Sequence, residues 1–552
     1  MNIQSAMTTV TRAVTVAKGI FAPGHLGELT QCLPFELVDD VLEQTRTVQR
    51  RLRDLPSRAG VYFVIALGMF PHLGYARVWG KLTAGLGGLD LPRPSEKALR
   101  DLRRRLGPAP LKALFEVVAG PLGQPRTPGV CFAGLRTVAF DGLNSLKVPD
   151  TSRNRSWAGR IRYRMGFAGY PALRLMALAE TGTRGLLGAA LGSAADRDEA
   201  HLARRLLPLL RPGMLVLLDR AFDANAFLAE VHATGAMLLA RAKSTRNPRV
   251  LQHLPDRSYL SCLDGLAVRI IDADVVMTGA DGSRTGDRYR LITTLTGHNR
   301  YPAVALVRLC HERREIETAY LALRHTLLDA RVLRSGGRPG LEQELRALLT
   351  LYQLLRRAMV DAIETRPGTN PDRASFTTAL EAARDQLTAA AGICPGGPAD
   401  PAGVIGRAVL STLLPARRPR YSARIVKCST SRYHQRDHSR PQAPTAITAI
   451  GITMRTPPPG TGGPGRSRTK HSTPGPPQPP TRRQLITAII TSQPPRDWSG
   501  HELAVLLGVK PPNMLTQLGE WSRLGFFTRT SFGAYRLNTP PASTSSTTAP
   551  DP

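Results

Sequence analysis

The sequence is poor in acid and in cysteine, and it has no long apolar run. Only 42 of its 552 residues are Asp or Glu, against 74 Lys and Arg, which leaves a formal charge of +32. That surplus does not reveal the fold, but it favours a polyanionic partner, nucleic acid above all. A general compositional bias towards Arg would give the same balance. The six cysteines, at 32, 131, 262, 310, 394 and 428, never form a Cys-x-x-Cys pair. Their scatter argues against a zinc cluster or a disulfide scaffold and suits a reducing cytoplasm. No stretch approaches the ~20 apolar residues of a membrane span, so no membrane partner is expected. Residues 1–24 lack a compact apolar core followed by a small-residue cleavage site, so secretion is not expected either.

What is present falls into segments. Residues 1–118 read as a helical N-terminal domain, with helices near "ELVDDVLEQTRTVQRRLRDL", "AGVYFVIALGMF", "YARVWGKLTAGL" and "SEKALRDLRRRLG". Such a domain could bind DNA ends or serve oligomerisation. Residues 129–360 change to an α/β pattern. "LRTVAFDG" reads as a first strand, "LKVPD" as a second pairing back, and "ALRLMALAE" as a third. A helix in "DRDEAHLARRLLPLL", the buried strand "MLVLLD", a helix in "ANAFLAEVHATG" and the strand "AMLLARA" follow. Residues 245–300 interrupt this order as a β-rich insertion with Asp-Gly and Gly turns. Two helices come next, "LCHERREIETAYLALRHTLLDAR" and "LEQELRALLTLYQLLRRAMVDAIET".

Beyond the core, 361–416 reads as a helical or irregular extension. Residues 417–483 read as a basic, Pro/Gly-rich linker, with fourteen Lys and Arg against a single acid, Asp437. A tract of that kind is a solvated tail or a non-specific contact for DNA phosphates. Residues 484–538 return to compact order. Ser499 and Glu502 have capping-box spacing, Gly508 stops that helix, and 511–524 forms the next one. "FFTRTSFGAYRL" then alternates like a hairpin. Three helices and a hairpin make a winged helix-turn-helix pattern, although a small three-helix fold that binds protein would look similar. Residues 539–552 read as a disordered tail.

Two carboxylates stand at strand ends, Asp141 after "TVAF" and Asp219 after "LVLL". An Asp in that place often does no more than cap the next loop. In a three-layer α/β fold of this order, however, strands one and four lie side by side, which brings the two acids to one edge. A third acid comes from the helix around 310. At about 100° per residue, Arg313, Glu317 and Arg324 share one stripe beside the apolar sector of Ile316, Tyr320, Leu323 and Leu327. An ordinary amphipathic helix with i,i+4 ion pairs would also carry such residues. Taken together, three carboxylates without a thiolate suit Mg²⁺ or Mn²⁺. Two such ions can clamp the attacking and leaving oxygens of a phosphoryl transfer, with Arg220, Arg313 and Arg324 gripping phosphates.

The blocks "FDGLNSLKVPD", "LVLLDRAFDAN" and "HERREIETAYLALRHTLLDARVLRS" resemble the three catalytic blocks of DDE transposases of bacterial insertion sequences. The branch is the one whose helix carries Tyr-x2-Arg-x3-Glu-x6-Lys, and the likeness runs from about residue 20 to 440. The resemblance implies an RNase H-like core, with the β-insertion between the second Asp and the Glu. It implies Asp141, Asp219 and Glu317 as catalytic metal ligands for two ions, and Arg313 at phosphate near the element end. It also implies DNA partners, namely inverted repeats and target DNA, a homodimer on that DNA, and a hairpin intermediate. Two positions depart from the pattern: Cys310 stands where the family has Tyr, and Arg324 where it has Lys. Arg keeps the charge; Cys lacks the reach and hydrogen bond of a phenol, which His311 next to it could supply in part. The expected protein is a cytoplasmic, nucleoid-associated transposase that cuts and pastes DNA. A DNA-binding regulator with an inert core, and a metal-dependent nuclease without joining activity, stay open as alternatives.

Overall fold

A computed structural model describes residues 24–49, 51, 53–87, 89–163, 166–193, 196, 198–243, 245–312, 322–393, 402–415, 420–421, 445–457, 486, 490, 496–508, 511–523, 526–531 and 534–538. The chain divides into two compact units, Met1–Gly462 and Gly463–Pro552. No helix among the described residues is long and apolar enough to cross a membrane.

The first unit opens with five helices: α1 (Phe35–Gln44), α2 (Ser57–Met69), α3 (Tyr75–Thr83), α4 (Glu96–Leu106) and α5 (Ala109–Val118). Four match the helical stretches expected from the sequence; α5 begins after the Gly-Pro at 107–108, which had read as punctuation. Helix α2 is apolar almost all round and is buried on nearly every side, as a helix at the centre of a bundle must be.

A mixed sheet follows. Its strands are β1 (Leu135–Lys147), β2 (Arg160–Tyr163), β3 (Gly166–Glu180), β4 (Leu186–Gly192), β5 (Met214–Leu218), β6 (Met237–Arg241), β7 (Tyr259–Leu263), β8 (Leu266–Gly279) and β9 (Arg284–Thr293). The middle of the sheet runs β4-β3-β1-β5-β6, antiparallel as far as β1 and parallel from β1 to β6. Short helices, α6 (Ser152–Ala158), α7 (Glu199–Arg204) and α8 (Asn225–Ala233), connect these strands.

Before the insertion, the strands differ from the sequence reading in several places, and β2 is the first strand that was not expected. "LKVPD" does not pair back: β1 runs on through Asp141-Gly142 to Lys147, absorbing an irregularity between Leu143 and Leu146. The second new strand is β4, whose glycines hid it. A Cβ on Gly192 would meet Leu202 of α7 at 2.6 Å, so the bare backbone there makes room for the helix.

The insertion expected at 245–300 is β-rich, and β9 pairs with the end of β6, so its strands extend the main sheet. Thr445–Met454, inside the stretch read as a linker, is a further strand, β10, paired antiparallel with β8. It is rich in β-branched residues (Thr445, Ile447, Ile450, Ile452), which suit a pleated surface, and Ile450, Ile452 and Met454, which alternate past a register shift, pack on the core. Composition concealed this strand, because Pro, Gly and Arg dominate on both sides of it.

The sheet is covered on both faces. Val138, Phe140, Val216 and Leu218 point to the side of α7 and α8, meeting Leu202, Phe227, Leu228 and Val231. Ala139, Leu215 and Leu217 point to the other side, against Leu306, Val307 and Cys310 of α9 (Ala303–Glu312). Each fully buried Leu or Val in β5 contributes roughly 1.5–3 kcal/mol. On that second face, further along β1, Leu143 joins the large helical core. That core combines α1 to α5 with α10 (Arg338–Glu364), α11 (Phe376–Ala389) and α12 (Gly403–Ser411).

The second unit holds β11 (Trp498–Ser499), α13 (Gly500–Leu506), α14 (Pro511–Arg523), β12 (Phe527–Ser531) and β13 (Ala534–Leu537). The expected capping box is present: Ser499 Oγ accepts from the Glu502 amide at 3.0 Å, and Glu502 accepts from the Ser499 amide at 3.1 Å. The hairpin β12–β13 gains a third strand from β11. Of the first expected helix, only Ile486 and Ile490 are among the described residues, and both lie in this unit's own core.

Candidate active site

The parallel strands β1 and β5 run in register from Arg136 beside Met214 to Ala139 beside Leu217. Asp141 and Asp219 each stand two residues beyond that last pair. Strand side chains alternate between faces, so Asp141 shares the face of Ala139. The backbone at Asp219 is still extended (φ −83°, ψ 170°), which keeps it on the face of Leu217. Neighbouring strands lie about 4.8 Å apart. Two residues separated widely in sequence therefore emerge side by side on one face, just past the parallel pairing. Asp141 lies within β1 and not at the strand end expected from the sequence, because pairing with β3 carries β1 on to Lys147.

Each carboxylate is oriented by its own chain. Asp141 Oδ1 accepts from the Gly142 amide at 2.9 Å, and Asp219 Oδ1 accepts from the Arg220 amide at 2.6 Å. Both side chains are half-buried. Asp219 does cap the short 3-10 turn Arg220–Phe222, so the bland reading of this Asp holds alongside the functional one. The paired-acid expectation is met in geometry; the third acid is another matter.

The helix read as starting near 310 starts at Ala303, just after Pro302, and is described as far as Glu312. Arg313 and Glu317 lie outside the described residues. Ala322–Leu327 is a π-helical turn; it contains Arg324, whose side chain is not described. Among the described residues, no group of three His, Cys, Asp or Glu is gathered as a metal cluster would be.

The remaining candidates divide. Arg220 is exposed, and its guanidinium lies 3.7 Å from Asp287 of β9. His311 was expected to reach phosphate; instead it is buried, with Nδ1 3.0 Å from the Tyr289 hydroxyl. The apolar α9 face turns it inward beside Cys310, which packs in the cluster beneath the two aspartates.

Sequence reasoning missed three residues of β9 and β6 that tie these groups together. Asp287 pairs with Arg241 at 2.6 Å as well as facing Arg220. The Arg241 guanidinium lies over the Tyr289 ring at 3.9 Å. A continuous path therefore links the loop after Asp219 to the end of α9. The alternation in "GDRYRLIT" was the available signal, but nothing in it says which strand lies next door.

Residues 23–116 match the family model described as insertion element 4 transposase N-terminal. The chain is also 26% identical over 415 residues to the transposase InsG for insertion sequence element IS4 of Escherichia coli (strain K12), across 73% of this chain and 92% of that one. The chain is related to the insertion element 4 transposases. A putative transposase InsZ of the same organism is 26% identical over 204 residues, 37% of this chain and 66% of its own length. Among solved structures, a piggyBac transposase synaptic complex with hairpin DNA aligns over 72% of this chain and 87% of its own, at 9% identity and a TM-score of 0.34. The N-terminal match and these relatives agree with the resemblance to transposases of bacterial insertion sequences read from the sequence.

Proposed function

We propose that this chain is a DNA transposase that cuts at the ends of its element and joins the freed 3′-hydroxyls to target DNA. The observation that carries the reading is that Asp141 and Asp219 each stand two residues past the last register pair of adjacent parallel strands, Ala139 beside Leu217, and on one face. The names of its relatives support the same activity. The strand order β4-β3-β1-β5-β6, with Asp141 and Asp219 just past the parallel pairing of β1 and β5, is the order an RNase H-like core would have, and it supports this reading.

Glu317 is the third acid of this reading. The segments on either side of it favour that role: α9 packs on the face to which both aspartates turn, and Leu323 and Leu327 join the cluster that includes Leu143 of the same face. The donor set is all carboxylate oxygen, which fits hard divalent ions such as Mg²⁺ or Mn²⁺. When bound, two such ions lower the pKa of the attacking water or hydroxyl and neutralise charge on the departing oxygen. The protein's own part is to aim. The Gly142 and Arg220 amides fix the two carboxylates, and Arg220, Arg313 and Arg324 bind phosphates of the strand being cut. The second unit acts as a winged helix-turn-helix, with Pro511–Arg523 entering the major groove. The working species is a homodimer on paired element ends.

Asp219→Asn tests the assignment in a strand-transfer assay with Mg²⁺, using as donor ends the DNA taken from either side of the coding region. The variant should yield neither nicked nor joined product. Normal joining by it would remove Asp219 from the chemistry. Cleavage without joining by the wild-type chain, given pre-cut ends and target plasmid, would favour a nuclease instead.

A further inference from the structure

Among the described residues, the exposed aromatic rings are Phe167 and Tyr170, at 56% and 45% exposure. Both lie on the hairpin formed by β2 and the start of β3, where Ile161 is also exposed. The surrounding sequence, 151–171, holds five arginines (153, 155, 160, 162 and 164) and no Asp or Glu. Asp150, just before it, pairs with Arg155 and Arg160, which leaves a surplus of positive charge around the rings. Arg162 is the register partner of Phe167.

The fold fixes where this hairpin lies. Asp141 stands opposite Ala177 of β3, and Lys147, at the far end of β1, stands opposite Ala172. Continuing along β3 leads to Tyr170 and Phe167, on the side towards which β1 and β5 both run. Ten residues of strand separate Ala177 from Phe167, about 33 Å, close to one turn of duplex DNA. A duplex held at the two aspartates and directed along β3 would reach the hairpin within about one turn.

We propose that this hairpin is a second DNA-contact surface, at which Phe167 and Tyr170 stack on bases that have left the duplex while the arginines hold the adjoining phosphates. The proposal rests on the reading of the chain as a DNA-processing enzyme. Two large rings left in water lower their free energy by covering an apolar face, and a base offers one of matching size. Inside a duplex both faces of each base are covered by its neighbours. The rings can engage only where the strand is frayed, nicked or kinked, so the surface selects opened DNA over intact duplex.

The test uses the full chain and two oligonucleotide probes of one sequence, a blunt duplex and a fork with an unpaired tip, followed by fluorescence anisotropy. The wild-type chain should prefer the fork. Phe167→Ala with Tyr170→Ala should reduce fork affinity by roughly tenfold or more while duplex affinity stays within about twofold. The milder Phe167→Tyr, which keeps a ring and guards against misfolding, should retain the preference. A base analogue at the tip, quenched on stacking, should lose its quenching in the double Ala variant. The proposal is overturned if the wild-type chain shows no preference, if both probes are lost equally, or if the double variant changes only the oligomeric state. Asp219→Asn should keep the fork preference, so a failure of the cleavage reading is distinguishable from a failure of this one.

Discussion

The hydroxyl of Tyr289 lies 3.0 Å from Nδ1 of His311, joining the insertion strand β9 to the end of helix α9. Tyr289 also carries Arg241 on its ring, and Arg241 reaches Asp287, which faces Arg220. The insertion therefore does more than lengthen the sheet: it braces the loop after Asp219 and the helix that leads to Glu317 against one another. Tyr289→Phe keeps the ring and removes only the hydroxyl. It should cost about 1 kcal/mol in urea unfolding, the ordinary value of one buried hydrogen bond. It should also lower strand transfer more than DNA affinity. An unchanged unfolding midpoint and unchanged activity would show that the bond braces nothing.

Metal binding is checked without turnover. If Asp141 and Asp219 share ions, saturating Mn²⁺ should raise the melting temperature of the wild-type chain, since a ligand that binds only the folded state stabilises it by mass action. Asp141→Asn and Asp219→Asn should each abolish most of that rise. Equal rises in all three proteins would place the ion elsewhere.

His25 gives the fold a pH dependence. It is buried, with Nε2 2.7 Å from the Leu82 carbonyl oxygen and Nδ1 accepting from the Gly27 amide at 3.1 Å. Burial lowers its pKa from 6.5 to about 4, against a smaller raising effect of the Leu82 carbonyl. The sign follows from proton uptake. Below pH 6.5 the unfolded chain binds a proton that the folded chain refuses, so stability is intact above that value and declines as pH falls towards 4. The decline amounts to roughly 3 kcal/mol across the window. His25→Gln should flatten the dependence of the urea midpoint between pH 7 and 5. A variant with the wild-type slope would assign the effect to other groups.

Much of the site was legible because its signals are local. "MLVLLD" reads as a buried strand ending in an acid, and the structure puts Asp219 where that reading requires; "TVAFD" likewise marks Asp141, although its strand runs on to Lys147 by pairing with β3. The Ser499–Glu502 cap was equally plain, since a capping box spans only four residues. What escaped the sequence depends on partners distant in the chain. Strand β4 was concealed by two glycines that only packing explains, Gly188 against Leu209 and Gly192 against Leu202. Strand β10 is recognisable as a strand only once β8 is known to lie beside it. His311 reads in "LCHERRE" as a stand-in for the missing phenol at a DNA phosphate, yet it is buried beside Tyr289 of another element.

The N-terminal helices and the helical extension after residue 361 meet closely enough to test as one body. At the turn after α3, a Cβ on Gly85 would land on the carbonyl of Ala389, at the end of α11. Backbone cannot swing aside as a side-chain end can, so Gly85→Ala must push the two elements apart or distort the turn. Overpacking of this kind costs about 1–3 kcal/mol. Gly87, two residues on, has open space around its Cβ position and no positive φ, so Gly87→Ala should leave stability almost unchanged. Urea unfolding of both variants separates a steric effect from any general penalty of replacing glycine in this turn. If Gly85→Ala unfolds at the wild-type midpoint, the two helical regions are not packed together as the structure has them. If both variants fall equally, the turn rather than the contact with Ala389 is what matters.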